Sequence, residues 1–488
     1  MYVYVRGACP WLDEHLKTFI RRHVPDAVFI DDMADFPPDA DTQLQICDGW
    51  ELQEHFAVIN RAKNGVINAY PNSDALARKD YLSQAVDFWA AKRPGSKLRQ
   101  HVPATVRLSL DYAEYVDEAL AATDDLTLLR SLEDNANKPP SERQWWILKP
   151  ALVDCGAGIR LFSTIEELAG HLELAEYEID SDEEEEVEDV EAEREEEEKE
   201  DANQPPFTPT LTTPGLDALD VLVTTTGKLS LSSTRVSRPK RPKYVFKANG
   251  RIPSAQMRAF VAQQYILHVP RMDGRKWHVR AYVLPIGRLR VHVYREMLTL
   301  LAAEEYKYPW EEGASLRAFL TNTALHLSDE EVLGRESMRE FWKDTTVVDD
   351  GVLGDPKEWK QKVWEQVCKI SGEVFRAAAH TMADKFTTME KCYELFALDF
   401  LVDVTGNVWL LEANETPAFY EQGVAGPMAK RLMESVMCVV MEHMGLAKMD
   451  EESHIEARKR MVLVLDETES LGKSNITEIV SEDCPWTA

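Results

Sequence analysis

The stretch LFALDFLVDVTGNVWLLEANETPA, residues 395–418, sets Asp399, Glu412 and Asn414 inside some of the most apolar sequence of the chain. Acids are almost never fully buried unless something pairs with them. LFALDFLVDV and NVWLLEANE read as two strands joined at Thr405-Gly406, because a Gly-containing two-residue loop is a good hairpin signal. Pairing Val404 with Asn407 places Asp399 directly opposite Glu412. A four-residue loop closed by Asp403 and Val408 gives the same register. Side chains alternate along a strand, so Glu412 and Asn414 share a face, and opposed residues share it too. Two carboxylates and an amide therefore converge, and their mutual repulsion is worsened by burial. A hard divalent cation resolves both costs, and Mg²⁺ takes a few carboxylates together with substrate phosphates and water. The competing reading has one acid facing solvent or paired with a base across the sheet; for the trio in matched register, a metal is favoured.

Composition narrows the setting. A chain of 488 residues, 44% hydrophobic, supports a large core and about two to four domains. Seven cysteines with no CxxC pair argue for reduced thiols. The opening MYVYVRGACPWLDEH lacks the basic and apolar regions of a signal peptide, and no apolar run approaches a membrane span. The expectation is a soluble intracellular protein that binds no membrane. The formal charge of −30 argues against nucleic acid as a partner. About half of it lies in DSDEEEEVEDVEAEREEEEKED, residues 180–201, with 16 acids and 2 bases.

The order of elements points to an α/β (α+β) fold. YVYVRG, WLDEHLKTFIRRHV and DAVFIDD read as strand, helix and strand, a small N-terminal α/β domain over residues 1–64. Residues 65–178 form a central subdomain. In it VINAYPNSDALARKDYLSQAVDFWAAK is largely helical, entered at Pro71 with Asn72 or Ser73 as cap. RQWWILKPALVDCGAGIRLFS reads as strand, Gly loop, strand, and a helix capped by Thr164 follows. Residues 179–243 are rich in acids, Ser, Thr and Pro, a composition expected to stay disordered as an insertion. Residues 244–448 hold the strands AFVAQQYILHV, KWHVRAYVLPIG and RLRVHVYREML, a helical region over 355–390, the hairpin, and the helix GPMAKRLMESVMCVVMEHMGL. Residues 449–488 read as a polar tail.

Three further constellations accompany the hairpin. Lys149 ends the apolar strand WWIL, and a loop with Gly156 and Gly158 follows; glycines let backbone N–H groups approach phosphates and a lysine adds charge, although Gly-x-Gly is common in plain turns. QQYILHV is a strand that could hold a purine by backbone hydrogen bonds, with a core strand as the plainer reading. GRKWHVRAYVL puts Lys276, His278 and Arg280 on one face, and Arg295 follows in VYREM; bases so aligned suit phosphates and carboxylates, or else form a solvated face. The histidines show no zinc-ligand spacing.

Taken in order, WILKP…GAGI, AQQYI, GRKWHVRAYVL, VYRE, FLTNTAL and LDFLVDVTGNVWLLEANETPA resemble the motifs of the tubulin-tyrosine ligase family, within the ATP-grasp superfamily. The resemblance covers most of the chain outside the acidic insertion and the tail. It implies an ATP-grasp fold, ATP and Mg²⁺ as cofactors, and a ligase joining an amino acid to a protein carboxylate, on tubulin or another protein with an acidic tail, through an acyl-phosphate. It implies a cytoplasmic protein, with the cytoskeleton or cytoplasmic granules as places of association. Lys149 and Lys276 would contact ATP phosphates, Gly156 and Gly158 would form the loop over them, and Gln263, Gln264, Tyr265 and Ile266 would line the adenine pocket. Asp399, Glu412 and Asn414 would hold Mg²⁺. Arg280, Arg295 and Asn322 would bind phosphate or the incoming amino acid. His278, within the nucleotide-binding set, stands where the family pattern carries an acid, and Asp154 lies in a loop where basic and small polar residues are usual. These departures leave two alternatives open: a ligase-like scaffold without catalysis, and a ligase acting on a small molecule.

Overall fold

Parallel pairing begins at the first strand. A computed structural model describes residues 1–7, 9–37, 39–47, 56–110, 115–152, 159–173, 258–321, 337–346, 348, 351–446 and 452–468. These fall in one compact unit made of Met1–Leu174 and Lys247–Ala488. The acidic and Ser/Thr/Pro-rich insertion, the Gly loop and Asn322 lie outside the described residues.

β1 (Tyr2–Arg6), β2 (Val28–Ile30), β3 (Thr42–Cys47) and β4 (Asn64–Ile67) form a parallel sheet in the order β2-β1-β3-β4. The helix Pro10–His23 crosses between β1 and β2, as the strand–helix–strand reading expects. Its Leu12, Leu16, Phe19 and Ile20 recur at helical spacing and are buried. β4 is tied onward, because the Ile67 N–H donates to the Lys391 carbonyl at 2.9 Å and the Tyr393 N–H donates to the Ile67 carbonyl at 2.9 Å.

A second sheet, antiparallel, has the order β5-β8-β6-β7, with β5 (Thr105–Ser109), β6 (Trp146–Pro150), β7 (Arg160–Phe162) and β8 (Ala259–Gln264). Thr164 caps the next helix as expected, its Oγ1 accepting from the Glu167 N–H at 3.2 Å. The strand expected through QQYILHV stops at Gln264, and the chain continues as an irregular extended segment.

The third sheet has seven strands: β9 (Arg275–Ile286), β10 (Arg290–Tyr294), β11 (Leu298–Glu305), β12 (Met338–Glu340), β13 (Phe396–Val402), β14 (Val408–Asn414) and β15 (Met461–Asp466). β9 pairs with β10, β11 and β13. Its two faces part by alternation. Trp277, Val279, Ala281 and Val283 join the core under the helix Pro356–Thr381, whose N-cap is Asp355. Tyr282, Leu284 and Ile286 join a second core under the helix Ala425–His443. Toward the start of β9, the face of Tyr282 passes from apolar to Arg280, His278 and Lys276. Lys276 and His278 are buried, so they form no solvated face.

The tail expectation needs correction. Residues 452–459 form a helix, and MVLVLD forms β15, an edge strand antiparallel to β10. Its apolar run is too short for a clear period, but Val464 and Leu465 sit in the core under the long helix. Among the described residues no helix is long and apolar enough to cross a membrane.

Candidate functional site

The hairpin register is reached by a different route from the one expected. The turn is neither of the two foreseen: Val404, Thr405 and Gly406 form a three-residue loop closed by Asp403 and Asn407, whose backbone N–H and carbonyl bond at 3.0 Å. The Gly406 N–H donates to the Asp403 carbonyl at 2.9 Å, and Gly406 has φ +80°. This is the type I turn followed by a left-handed residue that three-residue hairpins use. Asp403 Oδ1 accepts from the backbone N–H of Thr405 and of Asn407, which fixes the turn. Such a turn alone would set Asp399 against Leu411. A bulge between Phe400 and Asp399 leaves Leu411 without a partner and restores Asp399 opposite Glu412. Trp409 and Leu411 pack with Leu401 in an apolar cluster, while Val408, Leu410 and Ala413 face the core under the long helix. The extra residue thus turns Glu412 and Asn414 onto the face of Asp399, as bulges do beside functional sites.

Across the sheet, β9 supplies the partners. Asp399 lies opposite Arg280 in the β13–β9 ladder. The guanidinium binds both carboxylate oxygens, Nε to Oδ1 at 2.8 Å and Nη2 to Oδ2 at 2.7 Å. His278 Nε2 lies 3.4 Å from Asp399 Oδ1, and His278 Nδ1 is 2.5 Å from Thr321 Oγ1. Asn414 Nδ2 is 3.5 Å from Asp399 Oδ2. Burial works against the charge on Asp399 and Arg280 alike, yet Arg280 and then His278 hold the Asp399 carboxyl well below the ordinary carboxylate range, and Asp399 holds the guanidinium above its ordinary value. Asp399, 4% exposed, therefore has the cross-sheet base that the competing reading of the hairpin described. Glu412 is more open and lies 3.7 Å from Lys79 Nζ.

The second sheet brings the lysine. Lys149 is buried at the end of β6, and its Nζ donates to Gln263 Oε1 on β8 at 2.9 Å. Gln263 Nε2 donates in turn to Thr105 Oγ1 at 3.3 Å. Burial pushes the Lys149 ammonium down to about 8; Glu412 opposes this, Lys79 adds to it, and Asp399 opposes it. Lys276 is also buried and held well below its ordinary value, by burial first and by the charge of Lys149 second. Its Nζ sits 3.9 Å from the centre of the Tyr265 ring. Tyr265 is buried, Ile266 is partly buried, and both belong to the apolar cluster of Trp145, Leu401 and Trp409. The backbone N–H groups of Gln264 and Tyr265 are spent on the Ala104 and Trp145 carbonyls, at 2.8 and 2.9 Å.

Lys149, Gln263, Tyr265, Lys276, His278, Arg280, Asp399, Glu412 and Asn414 are thus linked by contacts or by the fields of their charges. Arg295 is not among them. Its guanidinium lies over Trp342 and Trp364, 4.0 and 4.5 Å from the ring centres, with Nη2 donating to Gln361 Oε1 at 3.2 Å. Gly156, Gly158 and Asn322 lie outside the described residues. Sequence reasoning missed Lys79 and Thr321. Lys79 opens a helix, and only the tertiary fold sets it beside Glu412; its backbone N–H also reaches the Ala151 carbonyl past β6, at 3.2 Å.

The residues fit a Mg²⁺ ion carried on a triphosphate. Asp399, Glu412 and Asn414 offer hard oxygen from one face. Among the described residues no third acid, histidine or cysteine joins them to close a cage, which suits an ion that draws ligands from substrate phosphates. A carboxylate has about four lone-pair sites, so Asp399 can keep Arg280 and still ligate. The buried, charge-disfavoured lysines would answer to the phosphates.

A second carboxyl cluster lies where the chain enters β13. Glu394 is buried, accepting from the Tyr70 N–H at 3.2 Å and from Ser73 Oγ at 3.1 Å, and Ser73 Oγ is also 2.9 Å from Glu415 Oε2. One hydroxyl proton cannot serve two carboxylates, but a neutral Glu394 can donate to Ser73 while Ser73 donates to Glu415. Burial pushes Glu394 up to about 8, with Tyr70 opposing, Glu415 adding and Ser73 opposing. Between the ordinary value of 4.5 and about 8, the unfolded chain has lost this proton and the folded chain keeps it. Stability from this group is therefore full below 4.5 and falls as pH rises toward about 8. Differential scanning fluorimetry from pH 5 to pH 8.5 should show Glu394→Gln declining less steeply than the unsubstituted chain, with the gap opening on the order of a few degrees at the alkaline end.

The family model described as "Tubulin-tyrosine ligase family" matches residues 58–449. A "Probable tubulin--tyrosine ligase" of Schizosaccharomyces pombe is 34% identical over 386 residues, covering 79% of this chain and 78% of that protein. The "Probable tubulin--tyrosine ligase PBY1" of Saccharomyces cerevisiae is 30% identical over 370 residues, covering 74% of this chain but 40% of that one. Among solved structures, the C-terminal domain of K. lactis Pby1, described as an ATP-grasp enzyme interacting with the mRNA decapping enzyme Dcp2, superposes with a TM-score of 0.58 at 22% identity, over 95% of this chain and 99% of that one. The fold is therefore that of an ATP-grasp enzyme, and with the family model spanning most of its length, the chain belongs to the tubulin-tyrosine ligase family.

Proposed function

We propose that the protein is an ATP-dependent ligase that joins the amine of an amino acid to a carboxylate on an acidic protein tail, with the tubulin C-terminal tail as the acceptor its family suggests. The observation that carries this reading is the meeting of two buried lysines, Lys149 and Lys276, with the opposed Asp399 and Glu412 and with Asn414. Mg·ATP complements both halves at once. Lys149, its Nζ directed by Gln263, and Lys276 bind phosphate oxygens; Tyr265 and Ile266 give the base an apolar wall. Asp399, Glu412 and Asn414 would hold Mg²⁺, which when bound shields the triphosphate from the approaching carboxylate. The acceptor carboxylate attacks the γ-phosphorus, ADP departs, and an acyl-phosphate forms. The amine then attacks the acyl carbon, phosphate departs with the C–O bond, and the surplus amine proton passes to phosphate or water. Arg280, fixed by Asp399, draws a carboxylate with its remaining N–H groups. Little covalent work falls to the protein; positioning and charge neutralisation dominate.

The test is incubation with Mg·ATP, acidic acceptor peptides and a mixture of labelled amino acids, read by mass spectrometry. The reading expects ADP and an acceptor heavier by one or more amino-acid residues. Modification of free small acids alone would make the protein a small-molecule ligase. A second reading, a ligase-like scaffold, has one observation behind it: His278, where the family pattern has an acid, contacts Asp399 and Thr321. No turnover with any amino acid, together with capture of a Dcp2-type decapping protein, would favour it.

A further inference from the structure

The short helix Asp74–Ala77 opens on a serine that does not cap it. Ser73 stands at the N-cap position, where a hydroxyl ordinarily accepts from the unpaired N–H groups of the first turn, yet its side chain makes no such bond. Asn72 serves that end instead, its Oδ1 accepting from the Asp74 N–H at 2.9 Å. The Ser73 hydroxyl is turned away from the helix and lies between two carboxyl groups, 3.1 Å from Glu394 Oε1 and 2.9 Å from Glu415 Oε2. Ser73 and Glu394 are both buried. Glu394 stands just before β13 and Glu415 just after β14, so one hydroxyl grips the open end of the hairpin that carries Asp399, Glu412 and Asn414. Asn72 and Ala75 tie the same segment to the Asp384 and Lys385 carbonyls, ahead of the hairpin, at 3.2 and 3.0 Å; Ser73 ties it to the hairpin itself. At its other end the helix stops at Arg78, whose extended backbone, φ −82° and ψ 127°, interrupts the helical run. Lys79 then opens the helix Lys79–Lys92. Its backbone N–H is anchored on Ala151, and its ammonium reaches Glu412.

We propose that Ser73 is a positioning residue of the nucleotide site: gripped by Glu394 and Glu415, it fixes the start of the Lys79 segment against the hairpin and so sets the Lys79 ammonium at Glu412. The proposal deepens the ligase reading and rests on it. A hydroxyl has a proton for one carboxyl group and lone pairs for the proton of another, so both joints hold at once. A lysine carries its charge on a flexible four-carbon stem, and the place of that charge depends on how firmly the backbone beneath it is fixed. Lys79 has two such fixings, Ala151 on the side of β6 and Ser73 on the side of the hairpin. Its charge is felt at Lys149, so the ammonium that Ser73 places belongs to the same set as the two buried lysines. A triphosphate carried on Mg²⁺ would bring more negative charge beside Glu412, and an ammonium held there offsets it. Without the Ser73 hydroxyl the helix start parts from the hairpin, and Lys79 spreads over more conformers.

The test is a double-mutant cycle on the full chain, read as the affinity for a non-hydrolysable Mg·ATP analogue by isothermal titration calorimetry. Ser73→Ala is expected to weaken binding about 5–10-fold, and Lys79→Met to weaken it at least as much. In the Lys79→Met background, Ser73→Ala should change the affinity by less than about 2-fold, because the residue acts through a charge that is already gone. A merely structural serine would weaken both backgrounds by the same factor. Melting temperatures of all four proteins, taken without nucleotide, record any loss of fold separately. Ser73→Cys, close in size and a weaker hydrogen-bond partner, takes the place of Ser73→Ala in the cycle if the alanine variant does not fold. Equal factors in the two backgrounds, or a lowered melting temperature with the affinity unmoved, overturn the positioning role while the nucleotide site stands. Failure of the unsubstituted chain to bind the analogue overturns the ligase reading, and the role of Ser73 with it.

Discussion

Asp399→Ala is expected to lower ATP turnover by about 10²–10³-fold and to destabilise the fold by about 3–5 kcal/mol. The two losses have different causes. Asp399 is the sole carboxylate within bonding distance of the Arg280 guanidinium among the described residues, and both groups are withdrawn from water. Removing one partner of such a pair leaves the other charge buried and uncompensated. Turnover falls because a hard oxygen ligand goes with it. The double variant Asp399→Leu with Arg280→Met separates the effects, since a buried ion pair replaced by apolar groups of similar size is often neutral for stability. Urea denaturation should show most of the lost stability recovered in the double variant, and an ADP-release assay should show no recovery of turnover. Recovery of both would mean that Asp399 serves the fold alone.

The second large effect lies at the lysines. Lys276→Met is expected to weaken Mg·ATP binding by about 10–100-fold, the loss of a charge-assisted contact, and at the same time to raise the melting temperature of the nucleotide-free protein. The rise follows because the ammonium is buried and disfavoured by Lys149, so an apolar side chain of similar length removes an unfavourable charge. Lys149→Met should weaken binding similarly. The unsubstituted protein should also lose nucleotide affinity as pH rises above about 8, where the Lys149 ammonium of the free protein gives up its proton; in Lys149→Arg, whose guanidinium stays charged, that alkaline decline should shrink. Calorimetric titrations with the ATP analogue at pH 7 and pH 9 provide the check, and an affinity that ignores both lysine and pH would remove Lys149 from the phosphate site.

How much of this was legible in the sequence depends on the range over which each feature is decided. The Arg280 face of β9 could be read from alternation alone, because Lys276, His278 and Arg280 share one parity while Trp277, Val279 and Ala281 share the other. The opposition of Asp399 and Glu412 was expected on the basis of a turn that the chain does not make. Two departures, a three-residue loop and a one-residue bulge, cancel, and neither leaves a mark in the hydrophobic pattern. Lys79 could not be found, because its place beside Glu412 depends on a contact between residues more than three hundred apart in the chain. The strand at Met461–Asp466 was missed because its neighbours are polar and its own run is brief. Arg295 shows the limit of motif order: the chain places it within a residue or two of its expected strand, yet its guanidinium goes to two tryptophans of the opposite face.

The unpaired residue in β14 has a consequence for how such a site is inherited. Counted outward from the turn, each strand position carries a parity, and Leu411 inverts it for everything beyond. The placement of Glu412 and Asn414 therefore depends on Glu412 standing opposite Asp399, more than on how many residues stand between Gly406 and Glu412. Exchanges of Leu411 for other side chains keep the bulge, and loss of Leu411 would leave an unbroken ladder with Asp399 still opposite Glu412, so acid and amide would keep the face of Asp399. A hairpin built this way tolerates spelling changes and the loss of its extra residue alike, so lineages of this fold can shed or regain the bulge with the two carboxylates still opposed.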